Sequence, residues 1–312
     1  MPNYKILITD GLDASAQAIL HSDSVDDHTN ISADELAKII ADYDALIVRG
    51  RTKVTSALLE GATRLKAVGR AGVGVDNIDL AAAKSHGVTV VNAPVSTTLA
   101  VAELTFGLLL ALAREIPRAD SSMKQGAWDK KTLEGVELNG KTLGILGMGR
   151  IGAEVARRAR AFGMDVLGYD PLIHAAEISQ RGATPASWDE LLSRSDFISL
   201  HLPLTDDTRG MLNAEQFSKM KNGARLVCAA RGGIIDEAAL LAALESGKIA
   251  GVALDVFAAE PPGATDLVKH PKVIATPHIG AQTAEAQSRA AVDIAEEVLK
   301  VLNGEKLRWK VV

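Results

Sequence analysis

Residues 142–152 read TLGILGMGRIG, a short apolar run that leads into a glycine-rich turn. The order predicts a strand, a tight turn and then a helix, which is the arrangement that binds a dinucleotide. Gly147 permits the turn, Gly149 lets a pyrophosphate approach the backbone, and Gly152 lets the helix pack closely on the strand. The phosphates are then expected at the helix N-terminus.

A candidate ribose-binding acid follows this turn. Residues 164–169 form a second β-rich run that ends at Asp170, about twenty residues after the glycines. A carboxylate in this position binds the ribose diol of the adenosine half and repels the 2′-phosphate of NADP. The glycine pattern alone is weak evidence, since turns produce it by chance, but together with Asp170 it predicts an NAD site.

The composition limits the kinds of partner. The chain has 312 residues, of which 47% are hydrophobic and 23% charged, as is typical of a globular protein with two domains. A net charge of −5 without a dense basic stripe argues against nucleic acid, and no apolar run is long enough for a membrane span. We expect a small-molecule partner and predict no metal site. The single cysteine, Cys228, and a chain start without a leader pattern favour the cytoplasm.

The first hundred residues alternate between β-rich and helical stretches. The β-rich runs are residues 5–9, 45–48, 66–68 and 88–91, and the helical patterns are residues 32–42 and 55–60. Ser32 and Glu35 have the spacing of a capping box, which marks the start of a helix. The alternation predicts a parallel sheet covered by helices.

A second alternation starts after residue 140. Its predicted strands are residues 142–146, 164–169, 197–200, 225–228, 251–255 and 273–275. Six strands complete a doubly wound unit. The helix after the glycine turn is expected to bury a stripe of four apolar side chains: Ile151, Val155, Ala159 and Phe162.

Two segments between the alternations suggest contact with a second subunit. Residues 96–114 predict a long helix that is apolar almost all round, and we place it at the domain junction and in a dimer interface. Residues 121–139, which include Trp128 and Lys130, show little periodicity and are expected to extend toward another subunit. We therefore expect a homodimer or a homotetramer.

The last predicted helix, residues 281–302, follows a unit that is already complete. Its expected buried face consists of Ala284, Ala291, Ile294, Ala295, Val298 and Val301. We expect it to pack on the first domain. The predicted fold class is therefore α/β with two doubly wound domains: a Rossmann-type NAD-binding domain, residues 99–283, inserted in a discontinuous flavodoxin-like substrate domain, residues 1–98 and 284–312.

Three candidate reacting residues follow predicted strands of the second domain. Arg231 offers a planar fork that holds a carboxylate while polarising an adjacent carbonyl. If the fold brings Glu260 and His278 together, the carboxylate orients the imidazole and favours its protonated form, which gives an acid. A histidine is more often structural than catalytic, and the sequence alone does not place these two side chains side by side.

Two arginines stand at strand ends of the first domain, where open α/β sheets bind ligands. They are Arg49 and Arg70, and Arg70 leads into Gly72, Val73 and Gly74, a loop whose amides suit an anion. The alternative interpretation is that each arginine is a solvated surface charge.

Five segments in order resemble the D-isomer-specific 2-hydroxyacid dehydrogenases. They are residues 69–77, 147–152, 230–236, 255–262 and 277–280, and the likeness covers nearly the whole chain. The resemblance implies an NAD enzyme in which Arg231, Glu260 and His278 are catalytic, and it suggests Arg49 and Arg70, with Lys130 of a second subunit, as substrate contacts. The cofactor contacts that it implies are Gly147, Gly149, Arg150, Ile151, Gly152, Asp170 on the ribose, Pro203, Ala229, Asp255 near the nicotinamide carboxamide, His278 and Gly280.

The leading substrate pair is 3-phosphoglycerate and 3-phosphohydroxypyruvate, a step of serine biosynthesis, because the arginines and the glycine loop offer a place for a second anion. A hydroxypyruvate or glyoxylate reductase or a sulfolactate dehydrogenase would share the catalytic residues, and an NAD-sensing scaffold is the alternative from another class. Thr97 stands where the family commonly has asparagine, which leaves the contact made there open. The sequence stops at Val312, so we expect neither regulatory domains nor serine feedback.

Overall fold

The computed structural model describes residues 4–20 and 24–312. Its contacts divide the chain into unit 1, Met1–Thr98 with Ala281–Val312, and unit 2, Leu99–Gly280. Each unit has one parallel sheet with a hydrophobic cluster on each face, which confirms the predicted fold class. Within the described ranges, no helix combines the length and apolar character needed to cross a membrane.

The described elements are as follows. The strands are β1 Lys5–Ile8, β2 Ser24–Asp27, β3 Ala45–Val48, β4 Ala67–Arg70, β5 Thr89–Asn92, β6 Thr142–Leu146, β7 Asp165–Tyr169, β8 Thr184–Pro185, β9 Phe197–Leu200, β10 Ala224–Cys228, β11 Ile249–Leu254 and β12 Val273–Ala275. The helices are α1 Gln17–Leu20, α2 Ala33–Ile39, α3 Ser56–Gly61, α4 Leu80–Ser85, α5 Thr98–Arg114, α6 Ile116–Lys124, α7 Arg150–Ala161, α8 Ala175–Gln180, α9 Trp188–Arg194, α10 Ala214–Lys219, α11 Glu237–Glu245, α12 Asp266–Lys269 and α13 Ala284–Asn303.

The sheet of unit 1 has the order β2-β1-β3-β4-β5, and all its strand pairs are parallel. This is the flavodoxin-like order. The sequence pattern did not predict β2, because its residues Ser-Val-Asp-Asp form a polar edge strand without the alternation that marks a half-buried strand. The capping box of α2 is confirmed, since the Ser32 hydroxyl accepts from the Glu35 N–H and the Glu35 carboxylate accepts from the Ser32 N–H.

The sheet of unit 2 has the order β12-β11-β10-β9-β6-β7-β8. This is the order of a Rossmann fold with a seventh strand added beyond the sixth. The strand that the sequence analysis missed is β8, which has only two residues and ends in proline. Val155 and Ala159 of α7 are both fully buried, in one hydrophobic cluster with Leu143 and Ile145 of β6. Phe162 was wrongly predicted to be buried with them: it caps the C-terminus of α7 and is 45% exposed.

Helix α13 packs on the sheet of unit 1. A Cβ on Gly69 of β4 would lie 2.5 Å from Cγ2 of Val298, so the glycine permits this close approach. Ala291, Ile294, Ala295 and Val298 are fully buried as predicted, whereas Val301 is only partly buried and Ala284 is exposed because α13 begins there.

A buried glutamate of α13 holds the end of the chain. Glu297 is 0% exposed, and its carboxylate accepts hydrogen bonds from Lys300 Nζ at 2.7 Å and from the N–H groups of Arg308 and Trp309 at 2.7 and 2.9 Å. Burial by itself raises the pKa of Glu297, but these hydrogen bonds outweigh it and lower the pKa. After Arg308 and Trp309, Lys310 forms an antiparallel bridge with Val91 of β5.

Candidate active site

The glycine turn of unit 2 excludes side chains at two positions and leaves space at a third. Gly147 has φ +94°, and a Cβ there would lie 2.6 Å from the His201 carbonyl oxygen. A Cβ on Gly152 would lie 2.1 Å from the carbonyl oxygen of Gly147. Gly149 caps the N-terminus of α7, and no atom lies within 4 Å of the Cβ that an alanine would add. This open space lies over the N-terminus of α7, whose first residues are Arg150 and Ile151, and it fits a pyrophosphate.

Asp170 follows β7 and anchors the same turn. Its Oδ2 accepts the Met148 N–H at 2.8 Å, and its Oδ1 accepts the Leu172 N–H at 2.9 Å. The sequence predicted a ribose contact here and not this bond to the turn. The carboxylate therefore lies beside the glycines, and its contact with a ribose stays a prediction.

The other predicted cofactor residues follow strands of the same parallel sheet. Pro203 follows β9 and its carbonyl accepts from Thr208 Oγ1 at 2.7 Å, while Ala229 directly follows β10 and is buried. Because parallel strands share a direction, these residues lie at the edge that carries the glycine turn. This is the edge at which open α/β sheets bind their ligands.

His201, which the sequence analysis did not single out, also follows β9. Its Nε2 lies 2.7 Å from Ser199 Oγ, and burial lowers the pKa of its imidazole to about 3. The Nδ1 atom is buried and has no hydrogen-bond partner among the described residues. The ring is therefore neutral and adjoins Gly147 through its own carbonyl group. The one signal in the sequence that could have drawn attention to His201 was its position directly after β9, a fully buried strand.

Glu260 and His278 lie together. The Glu260 Oε2 is 2.8 Å from Nδ1 of His278, and its Oε1 accepts the Phe257 N–H at 3.1 Å. The His278 side chain is 51% exposed, so the ring is accessible to a ligand. An imidazole held in this way by a carboxylate can pass a proton through its other nitrogen.

Arg231 is in the loop after β10, and a glycine brings this loop against the one that carries Glu260. A Cβ on Gly232 would lie 1.7 Å from the carbonyl oxygen of Phe257, so only glycine allows the approach. The Arg231 Nη1 donates to the Ala230 carbonyl at 2.7 Å. The loops of the predicted trio therefore adjoin at one edge of the sheet.

Asp255 organises the turn that bears His278. It is fully buried; its Oδ1 accepts from Thr276 Oγ1 at 2.6 Å and from the Ile279 N–H at 2.8 Å, and its Oδ2 accepts the Gly280 N–H at 2.8 Å. His278 itself has φ +51°, a conformation that few non-glycine residues adopt. The nicotinamide contact expected for Asp255 stays a prediction, and its supporting role in this turn was not predicted from the sequence.

The predicted anion-binding residues of unit 1 follow β3 and β4. Gly72 has φ +149°, and a Cβ there would lie 1.4 Å from Nη1 of Arg70, so the Arg70 guanidinium lies across the glycine loop. The Val73 carbonyl accepts from Asn92 Nδ2 at 2.6 Å, next to Gly74. Arg49 donates from Nη2 to Gln282 Oε1 at 3.3 Å. Burial lowers the pKa of the Arg49 guanidinium, and the charge of Asp10 opposes that shift.

Comparisons with known proteins identify the family of this chain. Residues 106–280 match the family described as D-isomer specific 2-hydroxyacid dehydrogenase, NAD binding domain. The chain is 50% identical over 305 residues to D-3-phosphoglycerate dehydrogenase of Rattus norvegicus. The aligned region covers 97% of this chain and 57% of the rat protein. It therefore spans little more than half the length of that relative.

Two solved structures have the same fold. A glyoxylate reductase from Paecilomyes thermophila matches with a TM-score of 0.90 and 33% identity, covering 100% of this chain and 99% of its own. D-lactate dehydrogenase from Aquifex aeolicus, solved with NAD and lactic acid, matches with a TM-score of 0.83 and 34% identity, covering 96% of each chain. With a family match that extends over more than half of its residues, the chain belongs to the D-isomer specific 2-hydroxyacid dehydrogenases.

Proposed function

We propose that this chain catalyses the reversible, NAD-dependent oxidation of D-3-phosphoglycerate to 3-phosphohydroxypyruvate, a step of serine biosynthesis. The observation that carries the reaction class is the 2.8 Å contact between Glu260 and His278 at the sheet edge that holds the glycine turn. The 50% identity to the rat D-3-phosphoglycerate dehydrogenase supports the substrate.

The turn around Gly149 would hold the cofactor, which as NAD⁺ would accept the hydride in oxidation and as NADH would donate it in reduction. His278 binds the substrate hydroxyl through Nε2, since Nδ1 faces Glu260, and takes its proton in oxidation or returns it in reduction. Glu260 keeps the ring oriented and stabilises its charged form. Arg231 holds the substrate carboxylate.

We assign the second anion of the substrate to unit 1. Arg49 and Arg70 provide two guanidinium groups, and the loop of Gly72, Val73 and Gly74 provides amides beside Arg70. A phosphate suits these groups because guanidinium forks bind phosphate oxygens bidentately.

The test is NADH oxidation with 3-phosphohydroxypyruvate, hydroxypyruvate, glyoxylate and sulfopyruvate measured side by side. We expect kcat/KM for 3-phosphohydroxypyruvate to exceed that for hydroxypyruvate and glyoxylate by about tenfold or more, because neither of these two acids carries a second anion for unit 1, and to exceed that for sulfopyruvate. A preference for glyoxylate or hydroxypyruvate would assign the chain to the reductases, and a preference for sulfopyruvate to the sulfolactate enzymes. Turnover of none of them would favour an NAD-sensing scaffold.

We further propose that two copies form a dimer through residues 115–132. Three apolar side chains there are exposed in the single chain: Ile116 at 51%, Met123 at 54% and Trp128 at 78%. Pro117, Ser121 and Gln125 also line a cavity of about 510 Å³ in unit 2, which can receive a side chain of a second copy. Lys130, which lies in the 3-10 turn Lys130–Thr132, would then contact the substrate bound by the second copy.

Light scattering on the wild-type chain and on Trp128→Ser tests the dimer. We expect twice the monomer mass for the wild type and dissociation of the variant at micromolar concentration. A monomeric wild type contradicts the proposal.

We also propose a cytoplasmic location. It is supported by the buried free thiol of Cys228, because burial raises the pKa of this thiol to about 11.

A further inference from the structure

The loop that carries Arg49 is fixed by a carboxylate from a neighbouring strand end. We name residues 49–52 the Arg49 loop. Asp10, which follows β1, accepts on Oδ2 the N–H of Arg49 at 2.7 Å and the N–H of Thr52 at 3.1 Å. Its Oδ1 accepts from Thr52 Oγ1 at 2.6 Å and pairs with Arg51 Nη2 at 3.1 Å. One carboxylate thus holds both ends of the loop.

A side-chain amide holds the same two residues by donating hydrogen bonds, whereas the carboxylate of Asp10 accepts them. Asn77 Nδ2 donates to the carbonyl of Arg49 at 3.0 Å and to the carbonyl of Thr52 at 2.7 Å. Asp10 and Asn77 together bind both backbone polar groups of Arg49 and both of Thr52. We name these two side chains the Arg49 clamp.

The clamp is shielded from water. The Asp10 side chain is 4% exposed and Asn77 is 9% exposed, so water competes poorly for their hydrogen bonds. Asn77 also ends the loop that begins at Gly72, which Arg70 overlies. The two groups of residues that we assign to the second substrate anion are therefore joined by a buried side chain.

The Arg49 side chain keeps its charge available. Its Nη2 donates to Gln282 Oε1, a neutral acceptor that orients the guanidinium without neutralising it. Asp10 is itself engaged by Arg51 and by the backbone of the Arg49 loop. The backbone of Arg49 is held by buried groups, and its guanidinium remains able to bind an anion.

We propose that Asp10 and Asn77 are positioning residues which place the Arg49 guanidinium for the second anion of the substrate. The assignment of that anion to Arg49 rests on the proposed function. A clamp of this kind lowers the cost of ordering the loop when substrate binds, so it affects substrate affinity and not the chemical step.

The first test is a pair of steady-state measurements on Asp10→Asn and Asn77→Asp, each of which reverses a hydrogen-bonding group facing the loop. We expect KM for 3-phosphohydroxypyruvate to rise about tenfold while kcat and the Kd of NADH stay within about twofold. The control is Asp44→Asn. Asp44 is also buried in unit 1 and also accepts a backbone N–H, that of Lys5 at 3.1 Å, but it precedes β3, whereas the Arg49 loop follows that strand. An unchanged KM, a fall in kcat alone, or an equal change in Asp44→Asn would refute the positioning role.

Two milder variants keep the proposal testable if Asp10→Asn does not fold. Thr52→Val removes the Oγ1 donor to Asp10 and should raise KM about threefold, whereas Thr52→Ser keeps the hydroxyl and should leave KM within about twofold of the wild type. Equal KM values for the two variants would contradict the clamp.

Amide hydrogen exchange gives a readout that does not depend on turnover. In Asp10→Asn, peptides covering residues 49–52 should exchange about tenfold faster than in the wild type, and Asp44→Asn should leave them unchanged. If the wild type turns over none of the 2-oxo acids, the proposed function fails while faster exchange still supports the clamp. Unchanged exchange refutes the clamp, and faster exchange with an unchanged KM refutes its role in placing Arg49.

Discussion

The Glu260 carboxylate divides its oxygens between Nδ1 of His278, at 2.8 Å, and the backbone N–H of Phe257, at 3.1 Å. One side chain thus ties the imidazole to the backbone of a neighbouring loop. The loop after β10, which bears Arg231, packs on Phe257 through Gly232. The orientation of the ring and the placement of the Arg231 loop therefore depend on the same short segment.

Glu260→Gln keeps the size of the side chain and removes its charge. We expect kcat for 3-phosphohydroxypyruvate reduction to fall about 100-fold, because the charged imidazole loses its partner in the transition state. The Kd of NADH, measured by fluorescence titration, should not change. Glu237→Gln is the matched control, since Glu237 accepts the adjacent Ala258 N–H at 2.7 Å. A loss of kcat as large in the control would show that loop geometry alone is responsible.

Gly149→Ala tests the cofactor turn. No atom lies within 4 Å of the added Cβ, so we expect Tm to stay within about 2 °C of the wild type. The methyl group would occupy the space assigned to the pyrophosphate, so the Kd of NADH should rise about tenfold or more. Gly107→Ala on α5 also adds a methyl group into open space and should leave the Kd unchanged. Tight NADH binding by Gly149→Ala would remove the pyrophosphate from this position.

Gly232→Ala should separate the two catalytic loops. The new Cβ would lie 1.7 Å from the Phe257 carbonyl oxygen, so the backbone must move. We expect kcat to fall about 100-fold, because small displacements of catalytic groups cost large factors in rate. Gly61→Ala is the matched control for the added methyl group, because φ of Gly61, like that of Gly232, lies outside the left-handed region and no atom lies within 4 Å of its added Cβ. Comparable kcat values for the two variants would contradict the close approach of the loops.

His201 predicts a dependence of stability on pH. Its folded-state pKa of about 3 lies below the ordinary histidine value, so below pH 6.5 the unfolded chain binds a proton that the folded chain does not. Stability should fall by about 1.5 kcal/mol between pH 6.5 and pH 5, above the range in which most carboxylates titrate. Thermal unfolding of His201→Gln should show a shallower decline, while the exposed His86→Gln follows the wild type. Parallel curves for His201→Gln and the wild type would contradict this account.

The sequence predicted those features that repeat along the chain or follow a local rule. Alternating apolar runs gave both sheets, and the spacing of Ser32 and Glu35 gave the start of α2. The strands β2 and β8 escaped because one is polar and the other has two residues. Edge strands need less apolar surface, so the pattern that marks central strands is absent from them.

The supporting residues of the site were not predictable in the same way. Asp10, Asn77 and Asp255 each bind backbone groups that lie 20 or more residues away in the sequence. Nothing local distinguishes such a carboxylate or amide from a solvated one. Glu260 and His278 were named from their positions after predicted strands, and the resemblance implied the same two residues, but only the fold shows that their side chains meet.

The segment that Glu297 holds has a consequence for how this protein behaves at high concentration. The backbone of β5 would otherwise present unpaired N–H and C=O groups at the side of the sheet. The Val311 N–H instead donates to the Val90 carbonyl at 2.8 Å, and Val91 bridges Lys310. Residues 310 and 311 thereby cover the edge of β5, so this strand is not available for a neighbouring molecule to pair with and begin aggregation.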